Sequence, residues 1–151
     1  MKSIRLLIVL TFCSVAAFAQ EIKRIEIPIA GQLETFSIPL GEKGVIVLTQ
    51  LGKSEFNIRK FNTNLEQVWT NQGSIEGNLD FVTHCFDGNQ LYLLFSRFKS
   101  NNYYIVRVNP RDGKLEKFQI FSVEKMEISN FKALNQSLFI GGIVNNTPVI
   151  L

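Results

Sequence analysis

The chain has 151 residues, 46% of them apolar and 19% charged, which excludes a disordered polypeptide and leaves room for one sizeable core. Sixteen basic and thirteen acidic residues give a net charge of +3, too balanced for a general nucleic-acid binder. Two cysteines and one histidine exclude a disulfide scaffold and a conventional zinc site built from several histidines or cysteines.

The first nineteen residues read as an address. Lys2 and Arg5 form a basic start, Leu6 to Ala19 is an apolar stretch, and Ala17-Phe18-Ala19 is a small-x-small cleavage site before Gln20. The apolar stretch of 14 residues is shorter than the roughly 20 that cross a bilayer, so a cleaved secretory signal is expected rather than an anchor. The expected product is exported, to the periplasm or the cell exterior, with no membrane span once the signal is gone. Cys13 is no lipoprotein cysteine, because Phe12 stands where a small residue is required. Loss of Lys2 and Arg5 lowers the charge to +1, and Cys85 becomes the one remaining thiol. Its neighbours Val82 and Phe86 predict that it is buried.

From there the chain reads as strands and turns. Ile25, Ile27 and Ile29 alternate with polar or turn residues, and Leu33 to Leu40 puts Phe36, Ile38 and Leu40 on one face. Val45 to Leu48 is continuously apolar, as in a strand buried on both faces. Further strands are predicted at Phe56 to Phe61, Phe81 to Phe86, Leu91 to Phe95, Tyr103 to Val108, Leu115 to Phe121, Ile128 to Leu134 and Leu138 to Val144. The breaks are Gly41 to Gly44, Asn62 to Asn64, Asp87 to Asn89, Asn109 to Gly113 and Asn145-Asn146, all residue types that preset turns. The expected class is all-β and antiparallel.

The strands recur. Val45-Ile-Val-Leu, Leu91-Tyr-Leu-Leu and Leu138-Phe-Ile-Gly start 46 and 47 residues apart. Phe56 to Asn62 aligns with Tyr103 to Asn109, and Leu65-Glu66 with Leu115-Glu116. Gly31 to Ile38 resembles Gly113 to Ile120, which reads it as the last strand of an earlier unit. A period of about 46 residues holding four short strands is that of a β-propeller blade. In Phe61 to Trp69 and Val108 to Phe118 a strand ends, an Asn/Asp/Gly turn follows, and a Leu-led strand closes on an aromatic residue. This resembles the repeats of secreted bacterial quinoprotein-like propellers over roughly Gly31 to Leu151. The resemblance implies blade-like four-stranded repeats in an incomplete propeller. A β-sandwich or small barrel is the alternative. The 132 residues after the signal hold about 2.9 such periods. That count predicts the N-terminal part of a longer protein, with a ring completed by several chains as the other reading.

Candidate chemistry is sparse. His84 aligns with Ile38 and Phe131, so it is expected to pack where the neighbouring units carry a hydrophobe. His84 and Cys85 are adjacent on a strand, so they point to opposite faces and do not share an ion. Asp87-Gly88-Asn89 and Asp112-Gly113 read as hairpin turns, lacking the closing carboxylate of a calcium loop. Glu55, Glu66, Asp80 and Glu116 read as solvated strand edges. No metal, cofactor or catalytic residue is implied. The aromatic surplus is the weak binding signal. Tyr103-Tyr104 place rings on both faces of one strand, with one ring expected to be exposed. With Arg97 and Trp69 they are the candidate residues for stacking on a glycan or meeting a protein. The expected function is an exported binding or scaffold module that self-associates through uncovered blade faces. The alternative is the N-terminal fragment of a propeller enzyme (glycosidase, lyase or quinoprotein type) whose active site lies beyond Leu151.

Overall fold

The computed structural model describes residues 24–27, 33–135 and 137–151. The signal at residues 1–19, Cys13 and Gly31 lie outside the described residues. Ten strands run in chain order: β1 (Thr35–Pro39), β2 (Val45–Gln50), β3 (Glu55–Phe61), β4 (Gln67–Ser74), β5 (Asp80–Phe86), β6 (Leu91–Ser96), β7 (Ser100–Val108), β8 (Leu115–Leu134), β9 (Ser137–Val144) and β10 (Thr147–Ile150). Gly41–Lys43 forms one 3-10 turn. Every strand pairing is antiparallel.

The strands form a meander that folds into three stacked layers. The first sheet is β1-β2-β3-β4. The order continues β5-β6-β7-β8-β9-β10 as one hydrogen-bonded run. β8 divides that run in two, because residues 115–121 (with Met126, opposite Ser100 beyond an irregularity) pair with β7 and residues 127–134 pair with β9. The second sheet is therefore β5, β6, β7 and the first part of β8; the third is the rest of β8, β9 and β10. This is the expected blade-like repeat: two four-stranded meanders followed by three strands. Such stacked meanders fit an incomplete propeller and also a small barrel.

Two cores hold the layers. Ile38, Ile46, Leu48, Phe56 and Ile58 of the first sheet meet Leu91, Leu93, Phe95, Tyr104, Val106 and Val108 of the second. On the opposite face of the second sheet, Tyr92, Leu94, Tyr103 and Ile105 meet Met126, Phe131 and Ile140 of the third. β6 is consequently buried on both faces, and all six of its residues are buried. The apolar runs at Val45, Leu91 and Leu138 open the second strands β2, β6 and β9 (or lie one residue inside), so the 46-residue period is a period of structure.

Turn chemistry repeats as well. Asn62 Oδ1 accepts from the N–H of Asn64 and of Glu66, and Asn109 Oδ1 accepts from the N–H of Arg111. Asn145 and Asn146 both have positive φ (48° and 65°), the requirement of a two-residue hairpin between β9 and β10.

Two expectations change. Thr35–Pro39 is the first strand of the first sheet, paired with β2, and not the last strand of an earlier unit. The likeness of Gly31–Ile38 to Gly113–Ile120 is local, while pairing is decided by Phe36 and Ile38, opposite Leu48 and Ile46 in register. Residues 24–27 carry no strand pairing; two apolar positions, Ile25 and Ile27, are too few to hold a register there.

Candidate functional site

The four residues singled out for binding are placed apart. Tyr103 and Tyr104 lie on β7, in the middle layer, where both faces are covered. Tyr103 is 0% exposed and Tyr104 9%, so the expectation of an exposed ring is overturned. The physical reason is the third layer: alternation sends one ring into each core. The Tyr103 hydroxyl donates to the carbonyl of Ser100 at 2.6 Å. Arg97 is exposed, and its Nε donates to the carbonyl of Asn78 in the link between the first two sheets.

Trp69 is half-buried on β4. Its indole N–H donates to the carbonyl of Pro110 at 3.1 Å, and Lys60 Nζ donates to the same oxygen at 2.7 Å. Its ring lies on Gly113, where an added Cβ would sit 2.9 Å from a ring carbon. Gly113 also has φ of +74°, so two constraints select glycine there. Trp69 thus fastens the first sheet to a turn of the second. That turn follows β7, whereas Arg97 sits in the turn before it, so the two lie at opposite ends of the sheets.

The titratable groups are equally committed. His84 faces the first core, half-buried, with its ring stacked on Phe81 at 6.4 Å between centroids. Burial lowers its pKa from the ordinary value. Cys85 faces the opposite way and packs on the second core. Burial first, then Asp87, pushes its thiol up to about 11, with Lys132 opposing, so it is a poor nucleophile. Asp87 is burdened by desolvation, yet the N–H groups of Gln90 and Asn89 and the Tyr92 hydroxyl hold it below its ordinary range. Its Oδ1 accepts those two N–H groups at 2.7 and 2.8 Å, which is the work of a turn and leaves no calcium loop. Glu116 is paired with Arg107, and Glu66 accepts from the Asn62 side chain at 2.7 Å. Among the described residues no group of three His, Cys, Asp or Glu is placed to hold a metal. None of their helices is long and apolar enough to cross a membrane.

Two surfaces among the described residues stand out for a ligand. One is an open cleft of about 610 Å³ between β4 and the first part of β8, lined by Glu55, Asn71, Gln72, Gly73, Ser74, Lys114, Leu115 and Lys117. Asn71 Nδ2 spans it to the Gly113 carbonyl at 2.9 Å, and Lys117 Nζ contacts Ser74 Oγ at 3.4 Å. It carries no aromatic ring.

The other is the outer face of the third sheet. The register puts Glu127 opposite Ile143 and Pro148, and Lys132 opposite Phe139. Ile150 lies opposite Gly141, which lies opposite Asn130. Leu134 is 62% exposed, Phe139 40%, Ile143 46% and Ile150 74%. The outer face of the first sheet is the reverse. Its outward positions include Thr35, Ser37, Val47, Thr49, Asn57, Arg59, Thr70 and Gln72, of which Val47 and Thr49 are already buried, with Thr35 Oγ1 to Thr49 Oγ1 at 3.4 Å and Thr70 Oγ1 to Asn57 Oδ1 at 3.4 Å. Sequence reasoning expected uncovered apolar blade faces without assigning residues to them. The signal of this face is that Leu138–Val144 and Val149–Leu151 are apolar at both alternating positions, although only one side of the sheet has a core to meet.

No protein-family model, curated protein or solved structure matches the chain.

Proposed function

We propose that the chain is an exported binding and scaffold module, and that it meets a protein surface with the outer face of its third sheet. The carrying observation is the exposure of Leu134, Phe139, Ile143 and Ile150 together on one sheet face. Clustered apolar side chains of this kind on a folded surface mark an interaction site. Catalysis has no comparable support, because His84, Cys85, Asp87 and Glu116 are occupied in packing, turns or ion pairs. Glycan stacking loses its proposed platform with the burial of Tyr103 and Tyr104. Export rests on the first nineteen residues, and the blade-like periodicity supports kinship with secreted bacterial propeller repeats.

A photo-crosslinking side chain substituted at Ile143, with a control at Asn57 on the opposite outer face, tests the reading. Adducts to protein are expected from position 143 and not from position 57. Absence of adducts at 143 overturns it.

A further inference from the structure

We infer that the surface seated on the outer face of the third sheet belongs to a second copy of this chain, related by a two-fold axis lying in the plane of contact. This assignment rests on the binding reading above. Its basis is the arrangement of charge and bulk on the face.

Glu127 and Lys132 are both exposed on this side of β8, toward opposite ends of its paired segment. A two-fold axis in the plane of contact, perpendicular to the strands, lays β8 over its copy in the reverse direction. Lys132 then stands over the second copy's Glu127, and Glu127 over the second copy's Lys132. The same operation sets Phe139 against Ile143. The row Asn130, Gly141 and Ile150 lies midway, so Ile150 meets its own copy near the axis. Glu127 with Lys132 and Phe139 with Ile143 are thus matched by one operation, as a self-complementary interface requires, with Lys99 and Lys125 lining the surface beside Glu127.

The alternative arrangement is head-to-tail, with this face on the outer face of the first sheet. That would bury Thr35, Asn57, Arg59 and Gln72 against Phe139 and Ile150 without partners for their polar groups. Self-pairing therefore closes at two copies.

The contact is small. Three strands spaced about 4.8 Å apart, with β9 rising about 3.3 Å per residue, present a face of roughly 14 by 26 Å. That is roughly 360 Å² per copy, well under the ~800 Å² per partner of a standard interface, so the contact is weak and transient and a dissociation constant on the order of 100 µM is expected.

The test uses the full chain as its host exports it, followed by sedimentation velocity across about 1 to 200 µM, a range that brackets such an affinity. A monomer–dimer equilibrium is expected. Phe139→Lys is expected to weaken it by about a hundredfold, since it buries a charge against the second copy's Ile143 and beside Lys132. Lys132→Glu and Glu127→Lys are each expected to weaken it about tenfold, acting at two symmetric contacts, and the double variant to restore it. A monomer at all concentrations, an open-ended series of polymers, or a double variant no tighter than either single one overturns the inference. The crosslinker at Ile143 separates the two levels. Adducts of two identical chains support this inference, and adducts only to a different protein overturn it while leaving the binding reading intact. No adduct overturns both.

Discussion

The two junctions between sheets are built differently. The first joins β1–β4 to the second sheet through fourteen buried apolar residues, the second joins the third sheet through seven, counted among the described residues. The first is also strapped by side chains. Buried Gln50 donates its amide to the Leu79 carbonyl at 3.1 Å and accepts the Phe81 N–H at 3.2 Å. Ser54 Oγ reaches the Gly77 carbonyl at 3.0 Å, and Lys60, Trp69 and Asn71 reach backbone carbonyls of the Asn109–Gly113 turn. Across the second junction, the described side chains show only Ser122 Oγ near the Tyr103 hydroxyl, at 3.4 Å. There the backbone of β8 does the joining. A loop between sheets must be fastened by added bonds; a strand shared by two sheets is fastened by its own ladders.

The largest way to break this comparison is to empty each core in turn. Phe95 is fully buried, with Phe56 and Phe81 centroids at 5.3 and 5.7 Å. Phe95→Ala is expected to cost about 4 kcal/mol, and Phe131→Ala at the second junction about 3 kcal/mol. Native-state hydrogen exchange distinguishes them. Phe95→Ala should raise exchange in β2, β3, β6 and β7 together, and Phe131→Ala mainly in β9 and β10. Equal exposure of all strands by both variants would show one cooperative unit and no hierarchy of junctions.

A smaller effect tests the strap. Gln50→Leu keeps the side-chain bulk but leaves the Leu79 carbonyl and the Phe81 N–H without their partner, and a loss of about 2 kcal/mol is expected in denaturant unfolding. The β1–β3 pairings should survive, since Gln50 is the last residue of β2. A change within error would mean that water replaces the amide fully.

The smallest effects are in pH. Cys85 faces the second junction, and its thiol is raised from 9.0 to about 11. Between those values the unfolded chain has lost the proton that the folded chain retains, so stability falls as pH rises through that window. His84 faces the first junction with a lowered pKa, so stability falls as pH drops below its ordinary 6.5, where only the unfolded ring takes up a proton. Thermal melts from pH 5 to pH 10.5 should therefore weaken at both ends. Cys85→Ser should shrink the alkaline limb alone, leaving the part that the raised pKa of Tyr92 contributes.

Much of the fold could be read from residues. The runs at Val45, Leu91 and Leu138 gave the period because a strand covered on both sides is apolar at consecutive positions. The opposite facing of His84 and Cys85 followed from strand geometry. Exposure did not follow, because whether Tyr103 and Tyr104 meet water depends on a third layer that no local pattern announces. The fusion of Leu115–Phe121 and Ile128–Leu134 into β8 was hidden for a related reason. Polar Ser122, Glu124 and Lys125 resemble a turn, yet the chain there stays extended and changes partners. An uncovered apolar face was expected, but its residues were not, since Phe139 and Ile143 look like core until the layers are counted.

The continuity of β8 also bears on how copies of this chain can trade parts. Exchange of a sheet between molecules needs a hinge that straightens without losing paired backbone. β8 offers no such hinge, because opening it would unpair strands on both sides. The stretch from Ile75 to Leu79 is the hinge available between the sheets, and Gln50, Ser54 and Arg97 hold it shut. Loosening that clasp should turn a surface contact between copies into interlocked dimers that swap their first sheets.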